Sequence, residues 1–77
     1  MKYSEFYQML DEIIEAAPGT IQPQTILGEL AGWDSLAVLS LIALVDECFK
    51  VPLAGNAIVA CVTAENLAGL LSPLLTA

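Results

Sequence analysis

The chain contains no histidine and no arginine, and its only basic side chains are Lys2 and Lys50. Without imidazole it has neither the usual general base near neutral pH nor the commonest metal ligand. Two lysines stand against nine acids, a formal net charge of -7. Nucleic-acid binding and attachment to an anionic membrane both need clustered cations, so neither is expected. No glycine-rich phosphate loop is present, and no charge-free apolar stretch has the length and character of a membrane span. Residues 51–64 lack charge but contain Pro52, Gly55 and Asn56. The N-terminus lacks the basic-then-apolar pattern of a signal peptide. A soluble cytoplasmic protein is the expectation. Free-standing catalysis is not expected, because 77 residues leave no room for a substantial pocket.

What remains is mostly apolar. Residues 1–77 hold one domain with a modest core, yet 57% of the chain is hydrophobic. Some of that surface must face water, and exposed apolar patches usually mark a binding surface. An acidic exterior is complementary to protein partners with basic patches. Cys48 and Cys61 have no metal-ligand spacing and read as small buried hydrophobes. The opening Met1 and the lack of a linker tail lead us to expect a stand-alone monomer rather than an excised synthase domain.

The apolar periodicity predicts a first helix from Tyr3 to Ala17, with Tyr3, Phe6, Leu10, Ile13, Ile14 and Ala17 on one face and Glu12 and Glu15 opposite. Ser4 is its expected N-cap, and Pro18-Gly19 its stop. Residues 18–34 read as a long loop pinned by Ile21, Ile26, Leu27, Leu30 and Trp33; connections this long are often functional. A second helix is expected from Ser35 to Phe49. Leu39, Ile42, Val45 and Phe49 form its apolar row, widened by Val38 and Leu41. Ala37, Ser40, Leu44 and Glu47 form the outer row. Lys50 complements the dipole at its end and Pro52 closes the segment. A short helix is expected over Asn56–Cys61. Thr63 then caps a last helix over Ala64–Leu71, which buries Leu67, Leu70 and Leu71 and ends at Ser72-Pro73. No strand pattern competes. The predicted fold is all-α: a small four-helix bundle of three main helices and one short one, with a long loop between helices 1 and 2.

The junction Gly32-Trp33-Asp34-Ser35-Leu36 carries the strongest chemical signal. It sets a hydroxyl where a loop becomes an amphipathic helix, beside free backbone N–H groups and the positive end of the dipole. Taken alone, Asp34-Ser35 reads as plain helix capping. The whole chain, however, resembles the phosphopantetheine-dependent acyl carrier proteins over residues 3–72. Thr25-Ile26-Leu27 with Leu30 match in the loop, Asp34-Ser35-Leu36 at the junction, Val45-Asp46-Glu47-Cys48-Phe49 at the end of helix two, and Val62-Thr63-Ala64-Glu65-Asn66-Leu67 at the last helix.

That resemblance implies 4′-phosphopantetheine, taken from coenzyme A by a phosphopantetheinyl transferase and attached to Ser35. Asp34 would help present the serine, and Leu36 would contact partner enzymes as well as pack on the loop. Trp33, Leu36, Ala37, Ser40, Leu44, Asp46 and Glu47 are the expected partner surface. The expected partners are the transferase, an acyl-loading ligase or acyltransferase, and a ketosynthase or other acyl-processing enzyme. Leu39, Ile42, Val45, Phe49, Ile58, Val62 and Leu67 are the expected lining for an acyl chain between the helices, and no metal is implied. Two features depart from the common family pattern. The outer face of helix two is nearly uncharged, and the spacing from Leu30 to Ser35 is one residue longer. The first predicts apolar, weakly salt-sensitive docking and a specialised lipid, polyketide or cell-surface role rather than housekeeping fatty-acid synthesis. An aminoacyl, peptidyl or D-alanyl carrier, and an unmodified helical interaction module, remain the alternatives.

Overall fold

A computed structural model describes residues 1–76. Its helices are α1 (Tyr3–Ile13), α2 (Ser35–Phe49), α3 (Gly55–Val59) and α4 (Ala64–Gly69), with short 3-10 turns at Leu27–Glu29 and Ser72–Leu74. The all-α bundle expected from the sequence is what forms. Among the described residues, extended pairing is limited to the isolated bridges Lys2–Thr76 and Ile26–Thr63.

Helix α1 buries Phe6 and Leu10 completely. It starts two residues earlier than a Ser4 cap would place it, with Lys2 at the cap and the Lys2 N–H donating to Glu5 Oε1 at 2.8 Å. It also ends four residues before Ala17, which is exposed. Glu15 takes the left-handed conformation, φ 57°. The Glu15 N–H then reaches Glu12 O at 3.1 Å, and the Ala16 N–H reaches Asp11 O at 2.9 Å. Those two bonds are the Schellman pattern, which satisfies the last carbonyls of a helix and turns the chain away.

The loop between α1 and α2 is anchored from both sides. The Asp11 carboxylate, 3% exposed, accepts the Ile21 N–H at 2.8 Å and the Gly19 N–H at 3.0 Å. Further along, the Leu27 N–H donates to Val62 O, the Ala64 N–H to Thr25 O and the Glu65 N–H to Pro23 O, at 2.8–2.9 Å. Ile21 and Leu27 are buried and Leu30 and Trp33 pack against the core, whereas Ile26 is 43% exposed, against expectation. The extra residue between Leu30 and Ser35 is absorbed in a turn closed by Trp33 N–H to Leu30 O at 3.2 Å. This turn presses Gly32 onto the end of α1: a Cβ there would lie 2.7 Å from Ile14 Cβ and 2.9 Å from its carbonyl oxygen.

Helix α2 has the predicted bounds but a different rotation. Its buried residues are Ala37, Leu41 and Val45, spaced four apart. Ala37, expected on the outer face, is 3% exposed, and Leu39, expected inside, is 62% exposed. A helix that is apolar nearly all round has little amphipathic signal to fix its phase. Packing against both α1 and α3 decides it. Lys50 closes α2 at φ 58°, its N–H donating to Asp46 O at 2.9 Å.

In α4, Thr63 caps as predicted: its hydroxyl accepts the Asn66 N–H at 3.2 Å, and Asn66 Oδ1 accepts the Thr63 N–H at 3.1 Å. Leu67 and Leu71 are buried, but Leu70 is 40% exposed, because the helix ends at Gly69 and not Leu71. The short α3 begins at Gly55 and ends at Val59, shifted toward the N-terminus from Asn56–Cys61. Beyond α4, Leu75 returns to the core and Thr76 pairs with the chain start. The Tyr3 N–H donates to Thr76 O and the Thr76 N–H to Met1 O, both at 2.9 Å.

Candidate functional site

Asp34 makes the junction. Its backbone is extended (φ -131°, ψ -171°), its Oδ1 accepts the Ala37 N–H at 3.0 Å, and its carbonyl accepts the Val38 N–H at 3.1 Å. Among the described residues the Ser35 and Leu36 N–H groups have no acceptor, the usual state of the first turn of a helix. Ser35, the first residue of α2, is exposed. A nucleophilic hydroxyl therefore sits at the positive end of a four-turn helix with two N–H groups free.

Ser35 opens onto a cleft of about 550 Å³. One wall is α2, through Val38, Leu39 and Ile42. The other is formed by Gly55 and Val59 of α3 with Cys61. Trp33, Leu27 and Gly28 of the loop complete it. Asp34 is the only charged residue on that lining. Cys61 is half-buried, its thiol donates to Ala57 O at 3.4 Å, and burial raises its pKa. The expectation that both cysteines are buried fails for Cys48, which is exposed on α2.

The predicted site residues thus divide. Trp33, Asp34, Ser35, Leu39 and Ile42 meet at the cleft, Leu39 doing so as an exposed rim residue. Val45, Ile58 and Leu67 are wholly inside the core and do not line the cleft; Phe49 is half-buried against that core. Val62 is 60% exposed and outside the lining, because its carbonyl is tied to the loop at Leu27. On the predicted partner surface, Leu36 is 71% exposed, Asp46 and Glu47 are exposed, and Ser40 and Leu44 are half-buried. Ala37 drops out, since it is buried. Sequence reasoning missed Leu27, Gly28, Val38, Gly55, Val59 and Cys61 as lining. Of these, Leu27 carried a signal, as an apolar residue inside a loop that had to touch the core.

A phosphodiester at this point needs an exposed hydroxyl and is favoured by free N–H donors at a helix N-terminus, and Ser35 at the α2 terminus has both. A scan against family models matches residues 4–71 to the family described as "Phosphopantetheine attachment site". Neither the curated proteins nor the solved structures yield a match.

Proposed function

Because this chain belongs to the phosphopantetheine-attachment family, whose prosthetic group is covalently bound 4′-phosphopantetheine, we propose that it is an acyl carrier bearing that arm on Ser35. The single observation that carries the assignment to Ser35 is an exposed hydroxyl on the first residue of α2, in the matched region, opening onto an apolar cleft. In the loading reaction Ser35 Oγ forms a bond to phosphorus of the coenzyme A diphosphate. The P–O–P bond breaks, adenosine 3′,5′-bisphosphate leaves, and the transferase takes the hydroxyl proton. The chain's part is positional. Asp34 holds the first turn of α2 through Ala37, and the free Ser35 and Leu36 N–H groups favour the phosphate charge. When bound, the arm supplies a terminal thiol that carries an acyl group as a thioester. The carrier performs no catalysis of its own; loading ligase or acyltransferase and ketosynthase-type enzymes act on the cargo.

The cleft supports an apolar acyl cargo over an aminoacyl one. Its lining offers aliphatic side chains and Trp33, with no charged group but Asp34 to greet an ammonium. The near absence of charge on the outer α2 face supports a specialised pathway. The test is intact mass after incubation with coenzyme A and a broad-specificity transferase. One phosphopantetheine on the parent and none on Ser35→Ala is the expected result. An unmodified, folded parent sinks the carrier reading and favours an interaction module.

A further inference from the structure

A second hollow, of about 410 Å³, lies between α1 and α4 and shares no lining residue with the cleft at Ser35. Tyr3 and Tyr7, one turn apart on α1, form one side. Pro23 of the loop and Glu65 of α4 form the other, tied together by the Glu65 N–H donating to Pro23 O at 2.8 Å. Ala68 and Gly69 supply the rest of the lining, a methyl group and bare backbone. Both tyrosines are half-buried. Among the described residues the Glu65 carboxylate accepts no hydrogen bond. Burial first, and then the charge of Glu65 and the neighbouring Tyr3, raise the Tyr7 pKa, so that carboxylate is within electrostatic reach of the Tyr7 ring.

Two aromatic rings beside a free carboxylate are complementary to a cation that carries an apolar stem. An aromatic face attracts positive charge, and a guanidinium stacks on tyrosine while its planar fork pairs with a carboxylate. A lysine ammonium is more strongly hydrated and fits a ring less well. We propose that this hollow is a docking site for an arginine side chain of a partner protein, with the guanidinium against Tyr3 and Tyr7 and paired with Glu65. The arginine comes from a different protein, because this chain has none. The net charge of -7 draws a basic partner toward it. Trp33 and Asp34 at the other cleft also set a ring near a carboxylate, but Asp34 Oδ1 is already engaged by the Ala37 N–H. The proposal does not depend on the carrier reading, since no residue of the hollow takes part in modification of Ser35.

The test is amide NMR of the full chain titrated with N-acetyl-arginine methylamide at constant ionic strength. The neutral citrulline analogue serves as the control. One exposed stacked and paired side chain is expected to bind with a Kd on the order of 10 mM. Saturable shifts should centre on Tyr3, Tyr7, Glu65 and Ala68, and the citrulline analogue should bind about tenfold more weakly. Tyr7→Leu keeps bulk but loses the ring, and Glu65→Gln loses the charge; each should weaken arginine about threefold to fivefold. Gly69→Leu adds a side chain where a Cβ meets open space, and should block binding with a melting temperature no lower than the parent's. Shifts that fail to saturate, equal binding of the citrulline analogue, or indifference to all three variants overturns the site. Shifts centred on Trp33 and Asp34 move the cation to the Ser35 cleft and overturn it too. A concentration-dependent dimer that Glu65→Gln dissolves gives the hollow to a lysine of a second copy, and overturns the arginine assignment. Mass gain at Ser35, measured separately, decides the carrier reading whichever way the titration falls.

Discussion

Replacing Asp11 by alanine should cost this domain a large share of its stability. The carboxylate is 3% exposed and holds the start of the long loop through two backbone N–H groups. The donor at Ile21 is buried, so no water replaces the lost acceptor there. A buried donor orphaned from a charged partner costs about 1.5–3 kcal/mol. The Gly19 donor is only part-buried and recovers most of its loss from solvent, adding about 0.5 kcal/mol. The sum, about 2–3.5 kcal/mol, is set against a total of roughly 4–12 kcal/mol for a domain of this length. At about 4–8 °C per kcal/mol the melting temperature falls by roughly 8–28 °C. Circular dichroism melts of Asp11→Ala, Asp11→Asn and Glu12→Ala check the reasoning. The amide keeps one acceptor and should fall between parent and alanine. Glu12 is exposed and its removal should stay within about 0.5 kcal/mol. If Asp11→Ala and Glu12→Ala melt together, the loop is not held by this carboxylate.

The close approach of Gly32 to the Ile14 backbone makes Gly32→Ala destabilising by about 1–3 kcal/mol. It should also slow modification of Ser35 three residues on, whereas Gly28→Ala, with open space at its Cβ, stays near parent stability in urea titration. Glu15→Gly relieves a left-handed non-glycine residue and removes an acid from the negative end of α1, so it should stabilise by about 1 kcal/mol in the same titration. Burial raises the Cys61 and Tyr7 pKa values. Each folded state therefore holds its proton to higher pH than the unfolded chain does, so their contribution is complete at neutral pH and is lost as pH climbs through the folded values. Brief iodoacetamide treatment near neutral pH should accordingly label exposed Cys48 well ahead of Cys61, as peptide mapping would show; equal labelling contradicts the shielding of the half-buried Cys61 thiol.

Chain ends of helices were legible where a side chain performs the capping. Asp34 and Thr63 announce α2 and α4, and both helices begin where those residues indicate. The end of α1 was not legible. Ala16 and Ala17 are good helix formers, and the stop comes from Glu15 entering a conformation that side chains disfavour, closed by the local bonds from Glu15 N–H to Glu12 O and from Ala16 N–H to Asp11 O. Asp11 gave no sequence signal either, because an acid on a helix is normally solvated and only the fold brings Ile21 and Gly19 to it. The rotation of α2 was hidden by its own uniformity: with Leu, Ile, Val and Ala on every side, only the arrangement of α1 and α3 selects Ala37, Leu41 and Val45 for the interior. The same uniformity leaves Leu36 and Leu39 outside, so what blurred the packing prediction is also what produces the apolar rim beside Ser35.

The pairing of Met1 and Tyr3 with Thr76 has a topological consequence. The Lys2–Thr76 bridge is parallel, so a linker leaving Thr76 has to double back to reach Met1, and about a dozen glycines and serines would close the chain into a ring without disturbing the bridge. Ring closure removes conformations from the unfolded chain and leaves the folded one untouched, so the circular form should unfold at higher temperature. It could then be reopened between exposed Ala17 and Pro18, which keeps the Gly19 N–H bond to Asp11, giving a permuted polypeptide in which the Ser35 junction lies near the new start of the chain.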